Sequence, residues 1–382
     1  MSIVLFFICL LASVLYFWWI GIRILQYQEG WNTFYFSKHF VADAYYREGA
    51  SAVIRVFFLQ FFHDPLHGAL VMSGITAVMM GLLIWAERRC VKWMRMPVIS
   101  FALSLIINIF MAMFIGKMSI SKAIGMQNES AWQDEQYMKL SNMVRNEQWD
   151  DVVAACDRIA PVTNLLFQNC LHMALAEKGE LGDRLFDQPV MNITSIYVNE
   201  ISSPQVAGLL SDVYYSMGHI AQAQRYAFEA NEKMNNLSPR LLQRLIKTNI
   251  IYGQYNVAKK YLRILSKTIY YKDWCERYST LLSDKAVESD AELSVKRKCL
   301  IADNRFSGVR GLDDDLLHVA RATKGTPQCR TTLQFLGSLY ILADYKEQFA
   351  AMIDEFRGTD ELPSPLPDCF NRFYNHLKMS ND

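Results

Sequence analysis

The hydrophobic pattern divides the chain near residue 117, with continuous apolar runs before it and amphipathic periodicity after it. IVLFFICLLASVLYFWWIGI, residues 3–22, is twenty residues without a charge. As a helix it reaches about 30 Å, the thickness of a bilayer's hydrocarbon core. Tyr16, Trp18 and Trp19 sit toward one end, where aromatic rings favour the membrane–water interface. A cleaved signal peptide is the rival reading, but it wants a basic leading region, a shorter apolar run and a small-residue cleavage site. Residues 67–86 and 97–116 are two further runs of spanning length. Residues 50–62, ASAVIRVFFLQFF, reach only about 20 Å as a helix and carry Arg55 in the middle. They predict an interfacial or re-entrant helix with Arg55 snorkelling toward headgroups.

Charge then sets an expected orientation. Residues 87–96 join the second and third runs and hold Arg88, Arg89, Lys92 and Arg95 against one acid, Glu87. Short connectors this basic stay on the cytoplasmic side, so everything after residue 117 is expected on the far side. Lys117 and Lys122 pull the other way, two charges against four.

Beyond a linker expected over residues 117–135, the pattern repeats. Leu210, Tyr214, Gly218, Ala223 and Ala230 reappear thirty-five residues later as Leu245, Asn249, Gly253, Ala258 and Leu265. The spacing is close to the 34-residue tetratricopeptide period. Gly218 and Gly253 each suit the left-handed C-cap that ends a first helix. Ile220 and Tyr255 open the second. Pro204 and Pro239, behind Ser203 and Ser238, suit the first helical turn. Weaker copies flank this pair at 137–161, 165–187 and 333–356, the last carrying Leu336, Gly337 and Tyr340. Residues 270–332 do not align, although 311–325 reads as a helix with acids in its first turn.

The fold class expected is therefore all-α: N-terminal transmembrane helices followed by a tetratricopeptide-like α-solenoid. The membrane region covers 1–116, the repeats 136–270, and degenerate helical hairpins 271–382. Stacked hairpins leave an inner groove lined by first helices. In this register Asp212 and Tyr215 face it from one unit, and Arg240, Gln243 and Lys247 from the next. A basic strip beside a tyrosine suits an acidic peptide or a C-terminal carboxylate, so the partner expected is a protein or peptide.

Composition narrows the chemistry. The chain carries 39 basic and 38 acidic residues, which leaves no footprint for nucleic acid. Lys296, Arg297 and Lys298 read as a solvated helix face. The eight cysteines include no CxxC pair and no zinc-type spacing with histidine. They read as small core residues, with one or two disulfides open in an oxidising compartment. His63 and His67 flank Asp64 at i, i+4 spacing, but Pro65 between them suits a helix start, with Asp64 as its N-cap. No metal or cofactor is expected. His219 follows Gly218 in a hairpin turn, and His172 and His318 lack a nucleophile or carboxylate at a recognisable spacing. No phosphate-binding loop, dinucleotide fingerprint, nucleophile elbow or HExxH is present, and no catalytic residue is assigned.

FFLQFFHDPLHGAL (57–70), ALAEKGELGDRLFDQP (174–189) and SPRLLQRLIKTNIIYGQYNVAKKYLRIL (238–265) together resemble a family of uncharacterised integral membrane proteins of Bacteroidota, a domain of unknown function. The resemblance spans residues 25–80 and 135–280. It implies an N-terminal membrane region joined to a tetratricopeptide-like C-terminal half and supplies no catalytic residues. Where His63 and Asp64 stand the family tends to carry aromatic residues, and its members often have more membrane helices. The expected role is a scaffold anchored in the cytoplasmic (inner) membrane that presents its repeats, for protein binding, on the periplasmic side. An accessory or catalytic component acting on lipid-linked or envelope substrates is the alternative.

Overall fold

The computed structural model describes residues 2–90, 97–126, 128–198, 202–301 and 311–381. Among them the chain is 76% helical and has no strand. It divides into two compact units. The first comprises 1–142, 237–240 and 264–275; the second comprises 143–236, 241–263 and 276–382.

In the first unit the helix Ser2–Ile20 packs on Pro65–Cys90 and Pro97–Gly116. Phe17, Ile20, Leu25, Leu59, Phe62, Ala69, Met72, Ala112 and Ile115 form its core. Gly21 and Gly68 let two helices close on the Phe62 ring, and a Cβ at Gly68 would sit 2.5 Å from it. Two helices, Phe6–Trp31 and Pro65–Leu82, are long and apolar enough to cross a membrane, and Ala102–Gly116 is a shorter apolar helix.

The first helix does not end at residue 22 as the charge pattern predicts. It continues through a π-helical turn, Gly21–Leu25, into Gln26–Trp31. Arg23 is tolerated there because Glu135 grips its guanidinium with both carboxylate oxygens and Trp19 lies under it, 4.0 Å away. Residues 50–62 are helical, as Ala50–Leu59 and a 3₁₀ turn, Gln60–His63. Arg55, however, is buried and faces Glu48 at 3.6 Å instead of reaching outward, since that carboxylate supplies its counter-charge. The expected linker contains the short helix Ile120–Ile124 and the start of Glu129–Arg145. Arg88 and Arg89 fall in the last turn of Pro65–Cys90, while Lys92 and Arg95 lie outside the described residues.

The second unit is built from paired helices. Pro204–Met217 packs closely on Ile220–Lys233. Pro239–Ile251 and Tyr255–Leu265 repeat that sequence pattern. Ser203 caps the first of these helices through the Val206 N–H, and Gly218 and Gly253 end their helices at φ +87° and +71°. Ser211 donates to the Ala223 carbonyl across the hairpin, and Tyr214 stacks on Tyr226 with 12° between the rings.

Where the period fails, the helices shorten to Lys272–Ser279, Asp284–Ser289 and Ala291–Lys298. Leu312–Ala322 follows as predicted. Pro327–Leu342 is buried at twelve of its sixteen residues. It packs not only on its neighbours but on Leu165–Lys178 and Pro204–Met217, far earlier in the chain. Gln328 donates to the Ser216 carbonyl and Thr332 to that of Met217. Pro204–Met217, one of the first helices assigned to a groove, is thus covered, in this unit, by a later segment of the same chain.

Candidate functional site

The residues expected to line the groove occupy closed polar networks. Tyr215 is only 7% exposed, and its hydroxyl donates to Glu292 at 2.6 Å. Lys247 binds both oxygens of Glu292, at 2.8 and 2.9 Å. Asp212 accepts from Arg244 at 2.9 Å, and the Arg244 guanidinium lies 3.7 Å above the Tyr215 ring. Lys296 approaches the same ring and donates to the Tyr215 carbonyl and to Gln328. Asp212, Tyr215 and Lys247 therefore do come together, but around Glu292 and Arg244, which periodicity did not single out. Gln243 accepts from Arg145 at 3.0 Å. Arg240 falls in the first unit, where it donates to Ser141 and lies over Trp31.

The run 296–298 is accordingly no simple solvated face. Lys296 is buried, and Arg297 closes the Pro239–Ile251 helix by donating to the carbonyls of Ile250 and Ile251. Burial opposes the Glu292 charge, yet Lys247, Tyr215 and Arg244 outweigh it and hold that carboxyl down at about 2. Burial lowers the Lys296 ammonium. These are the marks of an interior polar network, in which Arg244 Nε has no hydrogen-bond partner among the described residues.

His219 answers its sequence context in the same way. Its Nδ1 accepts the Gln222 N–H and so caps Ile220–Lys233, while Nε2 meets Asp315 at 3.1 Å. Around this hairpin a tyrosine cluster reaches the surface. Tyr197 and Tyr226 flank Tyr214, and burial followed by Tyr226, Asp313 and Tyr345 pushes the Tyr197 hydroxyl up. Phe228 and Tyr345 are exposed, and Arg225 lies over the Tyr226 ring. Tyrosine beside arginine is the composition of protein-contact surfaces.

The first unit carries a second constellation. Glu29, 1% exposed, accepts the Tyr271 hydroxyl at 2.7 Å and faces His63 Nδ1 at 3.3 Å through the same oxygen. Its other oxygen has no partner among the described residues. The half-buried His63 ring stacks on Tyr270 and meets Tyr271 edge-on. Tyr35 donates to the Leu237 carbonyl, and burial drives its own pKa far up. Asp64 caps the next helix by accepting the N–H groups of Leu66 and His67. With Nδ1 on Glu29, His63 keeps one ring nitrogen for outside contacts, the arrangement of an oriented proton carrier. Nothing in the local sequence links Glu29, His63 and Tyr271, which are up to 242 residues apart.

Cys9, Cys156, Cys170, Cys275, Cys299, Cys329 and Cys369 carry free thiols and are buried. Burial pushes Cys156 and Cys329 up to about 12 and Cys299 up to about 11, so these sulfurs are poor nucleophiles.

No curated protein and no solved structure matches the chain. The family model DUF6057, described as a family of unknown function, matches residues 1–122 and again 91–371. Together these matches run through nearly the whole sequence, and the chain belongs to that family.

Proposed function

We propose that the chain is a multi-pass protein of the cytoplasmic membrane whose tetratricopeptide-like half is a protein- or peptide-binding scaffold on the extracytoplasmic side. The observation that carries the membrane part is the apolar exterior of the first unit around a bundle that keeps a polar contact inside. Inside the helical bundle, Thr76 donates to Asn108 at 2.8 Å and Asn108 donates to Ser13 at 2.7 Å. Outside it, Phe7, Leu11, Leu15, Trp18, Leu70, Leu82, Phe110 and Phe114 are all exposed. Water disfavours so much exposed apolar surface, whereas lipid favours it. The basic connector supports the orientation.

The binding surface is assigned to the rim of the tyrosine cluster, Tyr226 and Tyr345, because the earlier groove candidates are engaged internally. A photo-crosslinking residue placed at Tyr226 or Tyr345 in living cells is expected to give one discrete protein adduct. The same residue at Glu232, exposed at the end of the helix that carries Tyr226, serves as the comparison. A smear equal at all three positions, or no adduct at any, contradicts the scaffold reading.

The second reading, an accessory or catalytic component acting on lipid-linked or envelope substrates, rests on the Glu29–His63–Tyr271 constellation. It predicts that His63→Gln abolishes function in a complementation assay while leaving the protein's level unchanged. Full complementation by that variant removes this reading.

A further inference from the structure

Where the helix Pro97–Gly116 ends, the first unit carries a cavity of ≈ 290 Å³ that opens to the outside. Gln28, Lys117, Ser119, Lys122, Ala131 and Asp134 are among the residues that line it. This volume is at the small end of the range for small-ligand pockets. Its chemistry is two-signed. Lys117 leans on Glu48 at 2.5 Å and Lys122 on Asp134 at 3.3 Å. Both are surface pairs with exposed partners, and such pairs stabilise little. A ligand charge can therefore replace either partner at low cost. The second carboxylate of the lining is different, because Glu135 is buried under Arg23 and is also held by Lys139 at 3.0 Å. That leaves the ammonium groups of Lys117 and Lys122 and the carboxylate of Asp134 able to exchange an exposed partner for a ligand charge.

Position supplies the rest. The lining comes from the ends of two apolar helices, at Gln28 and Gly116, and Gln28 donates to the Gly116 carbonyl. Ile120, Ile124, Met126 and Trp132, neighbours of the lining residues in the chain, are exposed. Large apolar side chains beside a charged cavity suit the boundary between acyl chains and headgroups.

We propose that this cavity takes the headgroup of a zwitterionic aminophospholipid, its phosphate on Lys117 and Lys122 and its ammonium on Asp134. The inference rests on the membrane reading above and extends it from an anchor to a lipid site.

The test uses the full chain in detergent micelles, with dihexanoyl-phosphatidylethanolamine as probe and native mass spectrometry as readout. The wild type is expected to retain one lipid per chain. Lys117→Gln with Lys122→Gln weakens retention about tenfold. Asp134→Asn weakens it for phosphatidylethanolamine but not for dihexanoyl-phosphatidylglycerol. Ala131→Phe, which fills the cavity without touching a charge, abolishes it. Thermal melting in the same micelles controls for folding, and if the double variant melts early, Ala131→Phe decides.

Retention unchanged in Ala131→Phe overturns the proposal. So does inorganic phosphate displacing the lipid at equal concentration, which would make the site one for free phosphate. Release of the chain from membranes by alkaline carbonate defeats the membrane reading and this inference with it. Firm membrane retention with no bound lipid defeats this inference alone.

Discussion

At the scale of single residues, the second unit depends on buried polar groups whose charge states are fixed by their surroundings. His172 is fully buried, donates through Nδ1 to the Ser195 carbonyl at 2.8 Å, and leaves Nε2 unpartnered among the described residues. Burial lowers its pKa from 6.5 to about 4. Between those values the unfolded chain binds the proton and the folded chain does not, so stability is full above 6.5 and falls as the pH drops toward 4. The loss amounts to about 3 kcal/mol. Thermal melts across that range are expected to show this decline, and His172→Gln to flatten it.

Glu292 acts in a more acidic window. Its folded pKa of about 2 lies below the ordinary 4.5, so its contribution is present above 4.5 and disappears toward 2. Glu292→Ala strips the partner from Lys247 and Tyr215 and is expected to cost about 3–5 kcal/mol. A variant that melts with the wild type would show the network to be idle. Tyr215 and Lys247 were visible in the sequence as neighbours on one helical register. Glu292 and Lys296 were not, since a charge is read as solvated unless its distant partner is known.

At the scale of elements, what could be read was local. Pro204, Gly218, Pro239 and Gly253 act within a turn of where they stand, and the helices begin and end where those residues require. The three apolar runs likewise became helices, because an uninterrupted apolar sequence has few other ways to satisfy its backbone. The first run outlasted its expected end because Arg23 meets Glu135, 112 residues on. The burial of Pro327–Leu342 was illegible for the same reason: its contacts lie on segments more than a hundred residues away.

Close approach between elements gives a direct prediction. Gly68→Ala places a methyl against the Phe62 ring and is expected to destabilise the first unit by about 1–3 kcal/mol. A melting temperature in micelles equal to that of the wild type would mean that the Phe62 contact is not what the glycine serves.

At the scale of the molecule, the two units ask for different solvents. The first turns leucine, phenylalanine and tryptophan outward around a hydrogen-bonded Ser13–Thr76–Asn108 interior. The second buries its apolar residues and its tyrosine–carboxylate network in the usual way. The proposed role, an anchor carrying a display surface, depends on orientation, and the orientation proposed is taken from Arg88, Arg89, Lys92 and Arg95. Paired topology reporters, inserted at residue 92 and after residue 130, measure it directly. The account predicts a cytoplasmic signal at the first site and an extracytoplasmic signal at the second. A cytoplasmic signal after residue 130 would contradict it.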